Sequence, residues 1–110
     1  MMWQQARKDA ELRLRAFLQA AQERGIDPRE MEVALGLYAD QDTLDLLQPD
    51  NKWPVAYHQQ VARATMRILR AKKFQVSLVP ITLVDYQQWL GERENTPDRR
   101  AQFLAERLKS

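Results

Sequence analysis

Apolar positions recur at three- and four-residue spacings along most of this chain and crowd together in one short stretch. Over Trp3–Arg24 the series Trp3, Ala10, Leu14, Phe17 and Ala21, widened by Leu18, predicts a long helix that Gly25 ends. Arg7 interrupts its heptad seam, which favours a helix packed within the chain over a dimeric coiled coil. Next come an N-cap at Asp27, Pro28 at the first helical position and Glu30 to close a capping box. Ile26 and Met31 stand at the staple positions. A helix carrying Met31, Ala34, Leu35 and Tyr38 on one face is expected there, although Val33-Leu35-Leu37 also fits the alternation of a strand. Thr43–Leu47 adds a further helical turn started by Asp42, and Gln48–Trp53 reads as a loop.

The centre of the chain is the passage from Pro54 to Thr82. Pro54 opens a helix whose apolar side is Tyr57, Val61, Ala64 and Ile68, with Met66 and Leu69 alongside. Phe74–Ile81 is β-branched and apolar and reads as a buried strand, with Pro80 marking its end or an edge. Thr82 and Asp85 start a helix carrying Leu83, Tyr86, Trp89 and Leu90, which ends at Gly91 or frays through Glu94. Thr96-Pro97 opens the last helix, striped by Ala101, Leu104, Ala105 and Leu108 with Phe103 beside them. The fold class is therefore mainly α: about five helices with one short strand, in a single domain over residues 1–110. A lone strand leaves backbone groups unpaired. Its partner is expected in Val33–Tyr38, in Trp53–Tyr57, or across a homodimer through Phe74–Val79.

Composition changes this picture little, but charge order changes it more. With 110 residues, 45% hydrophobic and no cysteine, the chain folds without disulfides, which suits a cytoplasmic protein. The N-terminus lacks the apolar core of a secretory signal, and no apolar run is long enough to span a membrane. Residues 26–50 hold seven acids against one base; residues 51–73 hold six bases and no acid. Such blocks face either each other or partners of opposite charge.

Little catalytic chemistry is legible. His58 is the only histidine and reads as an ordinary surface or partner-facing residue. Serine occurs only at Ser77, inside the strand, and at Ser110. The run Asp40-Gln41-Asp42-Thr43-Leu44-Asp45 begins like a calcium loop. It then has Asp45 where such a loop needs glycine and Asn51 where it needs glutamate. No cofactor or metal is expected, and the chain is read as non-enzymatic. Arg63, Arg67 and Arg70 share one helical face, with Lys72 and Lys73 after them and Trp53 and Tyr57 upstream as stacking surfaces for single-stranded nucleic acid.

One likeness concerns this region. From Arg67 to Leu108 the order is arginine and Ile-Leu on a helix, a basic turn, the strand VSLVP, Trp89, then QFLAERL. It is similar to the C-terminal half of RAP domains, RNA-associated modules related to restriction-endonuclease folds, and implies nucleic acid as a partner. The acidic strand that such folds use for catalysis is missing upstream, and Lys73 stands where glycine is usual.

Two functions are expected on these grounds. The first is a small accessory or adaptor protein that binds another chain, itself included. It is motivated by the charge blocks, the unmatched strand and the aromatic set Trp53, Tyr57, Tyr86 and Trp89. The second is nucleic-acid binding through Arg63, Arg67, Arg70, Lys72 and Lys73.

Overall fold

The computed structural model describes residues 2–30 and 32–109, the side chains of Met2, Trp3, Pro28 and Lys109 excepted. Met31 as a staple partner, the Trp3 ring as part of the first helix's seam, and Ser110 lie outside what is described. In chain order the elements are α1 (Met2–Glu23), a 3-10 turn (Pro28–Glu30), β1 (Glu32–Tyr38), α2 (Gln41–Leu47), α3 (Val55–Ala71), β2 (Gln75–Ile81), α4 (Leu83–Leu90) and α5 (Pro97–Lys109). The protein is mainly α with one short strand pair.

β1 corrects the helix expected over 31–38. The helix-start signals at Asp27–Glu30 are spent on the 3-10 turn, where Glu30 N–H donates to Asp27 O and Arg29 N–H to the Asp27 carboxylate. The alternation of Val33, Leu35 and Leu37 then prevails, and β1 runs parallel to β2 in the register Val33–Val76 through Tyr38–Ile81. Of the three partners expected for the strand, the one within the chain at 33–38 is realised. Gly36 belongs to this pairing. A Cβ there would stand 2.8 Å from Ile81 Cδ1, and Ile81 is fully buried.

The start and stop signals mostly do what their chemistry predicts. Ile26 N–H closes back to Ala21 O after α1, with Gly25 at φ +68°. Asp40 rather than the expected Asp42 starts α2: its carboxylate caps the helix, accepting from Thr43 N–H at 2.8 Å and Thr43 Oγ1 at 2.7 Å, and both bonds hold its pKa low. Thr82 Oγ1 accepts from Asp85 N–H, and Thr96 Oγ1 from Arg99 N–H. α3 ends with Lys73 at φ +72° and Phe74 N–H bonded to Leu69 O. The buried side chains of Leu69 and Phe74 share a cluster there, as this terminus favours.

Burial proceeds in three linked clusters. Ala6 and Ala10 of α1 meet Val61 and Ala64 of α3; Leu14 joins Val33, Leu69, Phe74 and Val76. Tyr38, Leu44, Leu47, Ile81, Tyr86 and Phe103 form the third, where α2, α4 and α5 close on the ends of the strands. The stripe of α1 is thus Ala6, Ala10, Leu14 and Ala21 with Leu18. Phe17 and Arg7, expected in the seam, are exposed. The small alanines let α1 and α3 approach closely.

The outer edge of β2 is partly blocked. Ala39 N–H donates to Ile81 O, so in this parallel register residues 75, 77, 79 and 81 point their backbone groups at β1. Val76, Leu78 and Pro80 therefore face outward. Arg70 Nη2 donates to Val76 O and Arg107 Nη2 to Pro80 O, both at 3.3 Å, and Pro80 has no N–H to offer.

Candidate functional site

The cationic residues singled out in the sequence do gather, and α1 adds to them. Arg63, Arg67 and Arg70 are exposed on successive turns of α3, and Lys72 and Lys73 are exposed at its end. Arg7 and Arg15, two turns apart on α1, flank the same helix pair. An open groove of about 510 Å³ is lined by Arg7, Arg15 and Lys72, with Glu11 among them, over a floor of Leu14, Leu18, Ile68 and Ala71. A second hollow that shares Arg7, Ile68 and Ala71 is lined by Arg67. Close packing of alanines on α1 against α3 is what brings the two rows together. Nothing in the α1 sequence marks Arg7 and Arg15 as neighbours of α3; only tertiary packing does.

Acid is sparse on this face. Glu11 pairs with Arg7 at 3.4 Å, both exposed. Among the described residues no ion pair joins Arg63, Arg70, Lys72 or Lys73 to an acid of 27–50. Four of those acids have other tasks. Asp27 accepts from its own turn, Asp40 caps α2, Asp45 accepts from Gln41, and Glu32 accepts from Ser77 Oγ.

Trp53 and Tyr57 do not join the cationic face. Tyr57 Oη donates to the Asp9 carboxylate, and burial together with that bond pushes its pKa up to about 12. The Trp53 ring stands edge-on to Tyr57, with centroids 5.2 Å apart. Tyr57 precedes Lys72 by fifteen residues, about 22 Å of helix. Tyr86 and Trp89, expected on an interaction surface, are engaged within the fold, Tyr86 buried in the core and Trp89 half-buried against it. Tyr86 is 1% exposed, and Trp89 packs on Phe103, donates to Glu106 at 2.6 Å and lies under the Arg93 guanidinium.

A second region escaped sequence reasoning. Arg13 of α1, Ala34–Gly36 and Tyr38 of β1, Trp53, His58 and the α5 residues Leu104 and Leu108 line a cleft of about 610 Å³. His58 is 8% exposed rather than on the surface. Its ring lies edge-on to Tyr38 at 5.2 Å, its Nδ1 is buried without a partner, and burial, then Arg13, lower its pKa to about 4. Tyr38 Oη accepts from Gln48 Nε2 at 3.0 Å, while burial raises its pKa. Partial desolvation lowers that of Arg13. The imidazole is neutral at pH 7, and among the described residues no hydroxyl hydrogen-bonds to it. No group of metal-binding side chains occurs among the described residues, and none of their helices is long and apolar enough to cross a membrane.

No family model matches the chain, and no curated protein or solved structure does. The likeness of residues 67–108 to RAP domains rests on its common residue types alone.

Proposed function

We propose that this protein is a non-catalytic nucleic-acid-binding module that holds the sugar-phosphate backbone against the α1–α3 face. The observation that supports this most is the meeting of cations from two helices, Arg7 and Arg15 of α1 with Lys72 at the end of α3, around one open groove, with Arg67 at the adjoining hollow. Phosphate oxygens are the ligand such a groove suits. Arginine forks and lysine ammonium groups bind them through charge-assisted hydrogen bonds, and released counterions add to affinity. Trp53 and Tyr57 are engaged elsewhere, so the face has no stacking platform among the described side chains. That favours a duplex, whose bases need not be unstacked, over a single strand, and binding indifferent to sequence.

Fluorescence anisotropy with a labelled DNA duplex of about 20 base pairs and its single strand tests this. Duplex affinity is expected to fall steeply with salt. Arg7→Ala, Arg15→Ala and Lys72→Ala each lower the slope of log affinity against log salt by about 0.9 for every phosphate left without its cation. These three are cleaner than Arg70→Ala, which also uncaps Val76 O. Absence of binding at low salt, or a triple alanine variant that binds as well as wild type, would discard the proposal.

A further inference from the structure

We propose that the free edge of β1 takes up an extended segment of a partner polypeptide as a third strand, with an acidic side chain of that segment meeting Arg13. The register that turns Val76, Leu78 and Pro80 outward on β2 also points Val33, Leu35, Leu37 and Ala39 of β1 inward. Ala34, Gly36 and Tyr38 therefore present their backbone groups away from the sheet. Tyr38 O is taken by Gln59 Nε2 at 2.7 Å. Ala34 and Gly36 have no hydrogen-bond partner on that side among the described residues. On the β2 edge arginines take the carbonyls of Val76 and Pro80 and the proline removes a donor, so among the described residues only Leu78 keeps both its groups open there; on the β1 edge Ala34 and Gly36 both do.

The surroundings of that edge suit a peptide. Ala34–Gly36 line both the 610 Å³ cleft and an adjoining cavity of about 190 Å³, and Arg13 lines both as well. Small side chains at 34 and 36 leave room for an added backbone. Leu14 and Phe17 stand on one side and Leu104 and Leu108 on the other, offering apolar walls to alternate side chains of the incoming strand. Phe17, although part of an otherwise buried seam by spacing, is 38% exposed here.

Charge decides what the strand carries. Asp50 and Lys52 offset each other in the cleft, His58 is neutral, and no carboxylate pairs with Arg13 among the described residues. An acid in the partner supplies the missing charge, in a setting partly screened from water. The occupant is a single segment rather than a second copy of this chain. A second copy pairing through the same edge would bring residues 33–39, which hold no acid, and another Arg13.

The test uses two end-blocked, fluorescent peptides of about seven residues. Both alternate valine and threonine; one has a central glutamate and the other a glutamine. The glutamate peptide is expected to bind roughly tenfold tighter, a difference that Arg13→Gln erases. Ala34→Pro, which gives β1 the block that Pro80 gives β2, is expected to abolish binding of both. In the wild type, hydrogen exchange at the Ala34 and Gly36 amides should slow on peptide addition while that at Val76 and Leu78 does not. The exchange measurement decides the matter even if the proline variant does not fold. Three outcomes overturn the proposal: neither peptide binds, both bind equally, or protection arises elsewhere. Protection of Ala34 and Gly36 that grows with protein concentration alone makes a second copy the occupant and overturns it as well.

Discussion

His58 stands between the rings of Tyr38 and Trp53, nearly out of reach of solvent, with Nδ1 unpartnered. An imidazole so placed resists protonation, and its pKa falls to about 4, from burial first and Arg13 second. The unfolded chain takes up this proton near pH 6.5, so between the two values the unfolded state binds more protons. The neutral ring's contribution is therefore complete above about pH 6.5, declines through the window, and is gone below pH 4. Between pH 7 and 4.5 the wild type should lose about 2 kcal/mol more than His58→Phe. Urea midpoints at the two pH values measure the difference, and parallel losses would show that the ring already carries a proton or a buried water. As a lone histidine in a polar context, His58 gave no sign of this in the sequence. Its burial comes from Tyr38, twenty residues earlier, and from Trp53 in the loop before α3.

At the scale of elements, α3, α4 and α5 were legible because their signals are local. Pro54, Thr82 and Thr96 lie at the starts; Gly91 and the apolar stripes do the rest. β1 was not, because two local patterns competed. Asp27-Pro28-Glu30 followed by apolar residues at helical spacing says helix, and Val33-Leu35-Leu37 says strand. What decides between them is β2, distant in sequence and therefore invisible to a window of residues. Pro80, read only as an end or an edge, turns out to be one of three devices that blunt the β2 edge. Removing all three at once, with Arg70→Ala, Pro80→Val and Arg107→Ala, should convert that edge into a pairing surface. Light scattering is expected to show the mass of the variant rising with concentration while that of the wild type stays constant. A variant whose mass does not change would mean that neighbouring side chains, not these three, guard the edge.

For the whole molecule, charge is arranged by tertiary structure rather than by the two blocks seen along the chain. The principal extents, 42 × 36 × 20 Å, describe a slab, and the cations of α1 and α3 crowd its helical side with Glu11 among them. Asp27 and Asp40 serve a turn and a cap, and no acid of 27–50 lines the groove on that face. Seven exposed cations (Arg7, Arg15, Arg63, Arg67, Arg70, Lys72 and Lys73) on two packed helices repel one another, and salt relieves the repulsion. Raising sodium chloride from low to moderate concentration should lift the thermal midpoint by about 3 °C. Arg63→Gln with Lys72→Gln should flatten that response, as calorimetry in chloride alone would record. An equal response in the variant would locate the strain elsewhere.

The parallel strand pair has a consequence for the order in which the chain acquires its structure. Glu32 lies opposite Gln75, so forty-three residues separate each partner from the other, and no hairpin can start the ladder. Helices form from near neighbours, but the sheet must wait until α2 and α3 have carried the chain back. Until then both strands are bare, and Phe74, Val76 and Val33 have nothing to close over. The packing of α3 on α1 joins Ala6 and Ala10 to Val61 and Ala64 across a longer stretch of chain still, so the core and the ladder alike depend on α3 returning.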